Sequence, residues 1–357
     1  MQGIELCRRF YHEIVQPQLA AFTSIAYSAA LIGPGSEVLG FDTEMSQDHD
    51  WGPRTIIFLH DSDEALAERL RVYRSDKLPE TFYGYPVEAE KTVITTLEQY
   101  TWHCLAHDFS KPLDSIDWLT FSSQTLLEWT KGEVFHDDHG RLAELREQLQ
   151  FYPDEVWYYL LASIWQRIGQ EEHLMLRAGY AGDELGSAVI ATRLIRDVMN
   201  LCFLMERQYA PYPKWFGTAF GKLRCAEQLT QLLWKVQTAT VWKEREQGLN
   251  SIYKHLAHMH NGLCITEPVS DEVTSFFTRP FLVMNGGDIG GLLGERIQDE
   301  KLQWLIRNRL IGSLDLITDN TDFRMLNAWK DGAGNSARSI LKQLYRFGET
   351  NKEEPGV

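Results

Sequence analysis

The sequence predicts an α+β protein, on three observations. Short apolar or β-branched runs at Ala29–Ile32, Thr55–Leu59 and Thr92–Thr96 read as strands, and Lys131–Gly140 reads as a last strand and turn. Helical patterns lie between them. From Arg141 onward the apolar spacing becomes helical throughout. The expected organisation is therefore a sheet flanked by helices over residues 1–140, followed by an all-helical domain over 141–350.

In chain order, Ile4 to Phe22 carries a loose helical spacing broken near Pro17. Ser62 to Tyr73 reads as a helix with Ser62 as N-cap and Leu66 and Leu70 inward. Pro79, Gly84 and Pro86 mark irregular backbone before the Thr92–Thr96 strand. Beyond Leu142, Leu145 and Leu149, a turn at Tyr152-Pro153-Asp154 precedes a helix whose Trp157, Leu161, Ile164, Trp165 and Ile168 form an apolar core stripe. Helices are expected from Glu184 to Tyr209 and from Trp234 to Ala257, with a stiff proline loop at Tyr209–Phe216 between them. Asn285–Gly291 reads as a loop near the site; its glycine spacing is not that of a dinucleotide fingerprint.

The 357 residues, 44% hydrophobic, suffice for a full core and suggest two domains. A net charge of -15 argues against an extended nucleic-acid surface while leaving room for a small basic pocket. The five cysteines, Cys7, Cys104, Cys202, Cys225 and Cys264, form no C-x-x-C pair, and their odd number excludes a complete disulfide framework. A reducing, cytoplasmic location is expected, since no apolar leader or membrane-length run appears.

The stretch Leu31–Leu59, LIGPGSEVLGFDTEMSQDHDWGPRTIIFL, carries the chemistry. Gly35 and Ser36 follow an apolar run, where a strand ends and a backbone-exposing turn begins; such turns bind phosphate oxygens. Asp48-His49-Asp50 follows. On a strand, Asp48 and Asp50 would share one face and present two carboxylates to one point. Mg2+ is held in that way, by one or two carboxylates plus substrate phosphates.

A Gly-Ser turn followed by Asp-x-Asp resembles the polymerase-β-like nucleotidyltransferase superfamily, with its kanamycin nucleotidyltransferase-like fold. GSEVLGFDTEMSQDHDWGPR, WTKGEVFHDDHG, GYAGDELGS and ERQYAPYPKWFGTAF resemble more closely a bacterial family labelled a domain of unknown function. The resemblance implies a mixed sheet and Mg2+-dependent transfer of a nucleoside monophosphate from an NTP, first of all ATP, to a hydroxyl of a small molecule or protein. It further implies Asp48 and Asp50 as metal ligands, Gly35 and Ser36 on the triphosphate, Glu172 as general base, and Arg177 or Lys214 on phosphate. Many members carry a third carboxylate on a neighbouring strand. Here that strand reads TVITT, leaving Glu88, Glu90 or none.

Two other classes stay open. One is a nucleotide- or partner-binding protein without turnover on the same fold. The other is a metal-dependent phosphohydrolase built on His103, His107 and Asp108, with the two histidines at helical i, i+4 spacing. His255, His258 and His260 at a helix end read as ordinary C-terminal cations.

Overall fold

The computed structural model describes residues 1–22, 25–48, 51–60, 64–324 and 337–346. Its contacts divide the chain into two compact units. The first comprises Met1–Leu113 and Ser123–Gln150, the second Asp114–Ser122 and Phe151–Arg324, and the tail is shared between them.

The first unit is a mixed sheet. Strands β1 (Tyr27–Leu31), β2 (Thr55–Leu59), β3 (Thr92–Thr96) and β4 (Glu133–Asp137) lie in the order β3-β2-β1-β4. β1 pairs antiparallel with both β2 and β4, and β2 pairs parallel with β3. The parallel pair needs a crossover, which α2 (Glu64–Lys77) supplies. Alternation along β2 sets the two faces of the sheet. Ile57 and Leu59 pack with Leu6, Phe10 and Val15 of the N-terminal helical segment and with Leu70 of α2. Phe58 meets Tyr100 of α3 (Leu97–Leu105), whose ring in turn meets Trp129 of α4 (Ser123–Thr130). With helices on both faces, a continuous apolar strand such as TIIFL is what burial demands.

The N-terminal helix α1 (Gly3–Phe10) continues through a π-type turn, Tyr11–Val15, into Gln16–Leu19. The wider turn falls just before Pro17, which cannot donate and would crowd the carbonyl four residues earlier. Ser62, the expected cap of α2, lies outside the described residues.

The boundary falls later than residue 140. Helix α5 (Arg141–Gln148) buries Leu142 and Leu145 and packs on β4 and α4, so it belongs to the first unit. Asp114–Ser122 belongs instead to the second. There Asp114 caps the short helix Ser115–Leu119 and pairs with Lys301 at 2.7 Å, while Tyr345 donates to the Leu119 carbonyl at 3.2 Å.

The second unit is helical and is built around α6 (Asp154–Tyr180), which packs against α7 (Glu184–Met205) and a later helix, Gly286–Gly294. Trp157, Leu161, Ile164, Trp165 and Ile168 are all buried, as the stripe predicts. The Tyr209–Phe216 segment is only partly a loop: α8 (Pro213–Phe220) begins at Pro213, where a missing N–H costs nothing. The helix expected over Trp234–Ala257 is two, α9 (Ala226–Thr238) and α10 (Trp242–Gly262). Among the described residues no helix is long and apolar enough to cross a membrane.

The glycine run at 285–291 is helix, not loop, and forms α11 (Gly286–Gly294). Its glycines permit backbone-to-backbone packing on α6. A Cβ on Gly286 would lie 2.5 Å from the Trp165 carbonyl, one on Gly290 2.9 Å from the Ala162 carbonyl, and one on Gly169 2.5 Å from the Gly287 nitrogen. Gly169→Ala and Gly286→Ala are each expected to lower stability by about 2 kcal/mol through overpacking. Gly291→Ala, on the same helix with nothing within 4 Å, should be neutral or stabilise by up to about 1 kcal/mol. Urea denaturation of the three variants measures the contrast.

Candidate functional site

The Gly33–Ser36 turn leaves the end of β1 with two glycines in left-handed backbone, φ 90° at Gly33 and φ 140° at Gly35. Both positions also lack room. A Cβ on Gly33 would lie 2.5 Å from the Tyr100 hydroxyl, and one on Gly35 would collide with the Arg54 guanidinium and the Glu37 carboxylate. Gly33 donates its N–H to the Glu128 carbonyl at 3.0 Å.

Arg54, just before β2, reaches under the turn. Its Nε donates to Glu37 Oε1 at 2.8 Å and its Nη2 to the Pro34 carbonyl. The Glu37 side chain is 1% exposed and that of Arg54 15%. A pair this deep costs desolvation on both sides and is retained only with good geometry. Arg54→Ala strands a buried carboxylate and should cost about 3 kcal/mol, whereas Arg54→Met with Glu37→Leu should recover most of that. Chemical denaturation of both proteins is the check.

The segment after Asp50 is also pinned. Asp42 accepts from the Gly3 N–H at 2.8 Å and from Trp51 Nε1 at 3.2 Å, and Lys91 donates to the Trp51 carbonyl at 3.2 Å. Cys7 donates to the Gly52 carbonyl at 3.3 Å, and burial pushes its thiol up to about 12. It is an inert packing thiol.

The strand expected at the Asp pair is absent at Asp48. That residue ends a single 3₁₀ turn, Glu44–Asp48, and β2 starts only at Thr55. The alternation argument therefore has no strand to act on at Asp48. The Asp48 side chain, His49 and Asp50 lie outside the described residues. Of the carboxylates considered as a third ligand, Glu88 is exposed and pairs with Lys91 at 2.8 Å, and Glu90 is exposed. Among the described residues no group of three His, Cys, Asp or Glu side chains could hold a metal ion.

Glu172, Arg177 and Lys214 belong to the second unit. Glu172 is 3% exposed and accepts from the Met284 N–H at 2.7 Å and the Gly286 N–H at 3.4 Å. It closes the start of α11, with its carboxylate buried against those two N–H groups. Arg177, on the opposite side of α6, is exposed, and Lys214 is exposed with its ammonium 5.0 Å from the Trp215 ring.

The histidine pairs are also resolved. Helix α3 ends at Leu105, with Ala106 left-handed, so exposed His103 and buried His107 do not share a helical face. His107 Nε2 pairs with the Lys111 carbonyl at 3.1 Å, and Asp108 accepts from Ser110. His260 is buried against Thr266 Oγ1 at 2.9 Å, and His258 pairs with Asp271 at 3.1 Å. Ser28, His60 and Asp137 meet at the other end of β1, but Ser28 is 2% exposed and donates to Asp137 itself at 2.7 Å. That is a structural hydroxyl rather than a nucleophile.

One group was not legible in sequence. Glu128 on α4, beside Gly33, is pushed up to about 7 by burial, which outweighs the Gln124 amide donated to it at 2.6 Å and the Arg54 charge. In SQTLLEWT it reads as an ordinary polar helix residue.

The family model described as "Domain of unknown function (DUF4037)" matches residues 118–216. No protein of curated function shows a significant match. Among solved structures, a nucleotidyltransferase-like protein from Exiguobacterium sibiricum 255-15 is similar at 11% identity and a TM-score of 0.32, over 85% of this chain and 91% of that one.

Proposed function

We propose that the chain transfers a nucleoside monophosphate from an NTP, with ATP the first candidate, to a hydroxyl acceptor in a Mg2+-dependent reaction. The observation that carries this reading is the Gly33–Ser36 turn, where two glycines are required both by φ and by space and a buried ion pair fixes the backbone. A turn held this rigidly, with the Ser36 hydroxyl on it, offers fixed donors to phosphate oxygens. The acceptor oxygen would attack the α-phosphorus, the bond to the β-phosphate oxygen would break, and pyrophosphate would leave. Asp48 and Asp50 are the two hard oxygen donors that would hold Mg2+, which when bound neutralises phosphate charge. The reading rests on the first unit alone.

The neighbouring strand, TVITT, carries no carboxylate, which favours one alternative, nucleotide binding without turnover. Incubation with α-labelled ATP or GTP, Mg2+ and a cell extract tests both. Acid-stable label on an acceptor with pyrophosphate release supports transfer. Nucleotide binding by calorimetry with neither product supports the second reading.

A further inference from the structure

We propose that the helical unit carries an anion site for a small phosphorylated molecule, formed by Arg207, Arg224 and Arg296 around a cavity of about 420 Å³. This site is independent of the Gly33–Ser36 turn and of the function proposed for it. Three guanidinium groups on one cavity are conspicuous in a chain of net charge -15. Guanidinium is the side chain that matches phosphate geometry through paired N–H donors.

The cavity is built rather than incidental. Arg207 holds a left-handed backbone, φ 51°, at the end of α7, a position where glycine would be unstrained. The side chain gained there is fixed: its guanidinium lies 3.9 Å from the Trp157 ring centroid and 2.6 Å from Asp154. Trp157 is itself fixed, donating Nε1 to the Leu204 carbonyl at 2.8 Å. Cys264, which also lines the cavity, is a second non-glycine residue in left-handed backbone, φ 54°. Glu206 also lines the cavity, and its charge is matched by Arg224 at 3.3 Å. Its side chain is 5% exposed and accepts from the backbone N–H groups of Arg224 and Cys225, both at 2.9 Å. Asp154 and Glu206 answer two of the three guanidinium charges. Arg296 is exposed and has no carboxylate partner among the described residues, so an unmatched positive charge faces the cavity.

Cys264 supplies a local reporter, since Cys7, Cys202 and Cys225 are buried and Cys104 is partly so. The 357-residue protein is alkylated with N-ethylmaleimide in EDTA, with or without inorganic pyrophosphate, and modification of the Cys264 peptide is timed by mass spectrometry. Pyrophosphate at about 10 mM should slow alkylation at least about fivefold. The protection should persist in the Asp48→Ala, Asp50→Ala double variant and be lost in Arg296→Ala, whose exposed side chain can be removed without unfolding. The proposal is overturned if pyrophosphate gives no protection, if sodium chloride of equal ionic strength protects as well, or if Arg296→Ala is protected like the parent. Protection that disappears in the aspartate double variant would assign the anion to the other unit and likewise overturn it.

Discussion

Replacing Asp48 and Asp50 together by alanine is expected to reduce Mg2+-dependent nucleotide transfer by at least about a thousandfold, with stability changed by less than about 1 kcal/mol. The expectation follows from division of labour among the three aspartates of this stretch. Asp42 holds the loop by accepting from Gly3 and Trp51, and Trp51-Gly52 is tied independently by Lys91 and Cys7. The loop therefore keeps its anchors when Asp48 and Asp50 are removed. Asp42→Ala should show the reverse pattern. It leaves an amide and an indole N–H without their acceptor and should cost about 2 kcal/mol, with activity lost only in proportion to unfolding. Label transfer measured beside urea denaturation for both proteins separates the two roles. Transfer surviving in the double variant would remove the metal-binding role from Asp48 and Asp50.

The parts of this molecule legible in sequence are those where side-chain period alone decides. TIIFL and TVITT are strands because they are short and β-branched, and the Trp157 to Ile168 stripe is core because it recurs at helical spacing. Period does not say which core a helix serves. Leu142, Leu145 and Leu149 predict a helix, but only the packing of α5 on β4 assigns it to the sheet unit. Glycine is ambiguous in another way: Gly33 and Gly35 serve backbone conformation and close approach together, whereas Gly286 and Gly290 sit in ordinary helix and serve close approach alone. At the candidate site Gly35 was legible, whereas Gly33 was not singled out. Arg54 and Glu37 were not legible, because a buried ion pair between residues seventeen apart leaves no local pattern.

Glu172→Ala is expected to lower stability by about 4 kcal/mol, since two buried backbone N–H groups at the start of α11 lose their acceptor where α6 and α11 touch. Gly169, one turn earlier on α6, brings the two backbones close, so water cannot enter to replace the carboxylate without separating the helices. Glu172→Gln keeps an acceptor oxygen and should fall between parent and Ala. The pH dependence gives a second signature. Burial raises the Glu172 carboxyl from 4.5 to about 7 against the N–H groups of Met284 and Gly286, and the same cause raises Glu128 to about 7 and Asp197 to about 6. In each case the native state holds its proton to higher pH than the unfolded chain. Stability from these groups is therefore complete below their unfolded values and is lost as pH rises through about 6 to 7. Glu172→Gln, which cannot ionise, should show a shallower fall across that window in urea denaturation at stepped pH. A Gln variant with unchanged stability, an unchanged pH profile and abolished nucleotide transfer would instead return Glu172 to the role of proton acceptor.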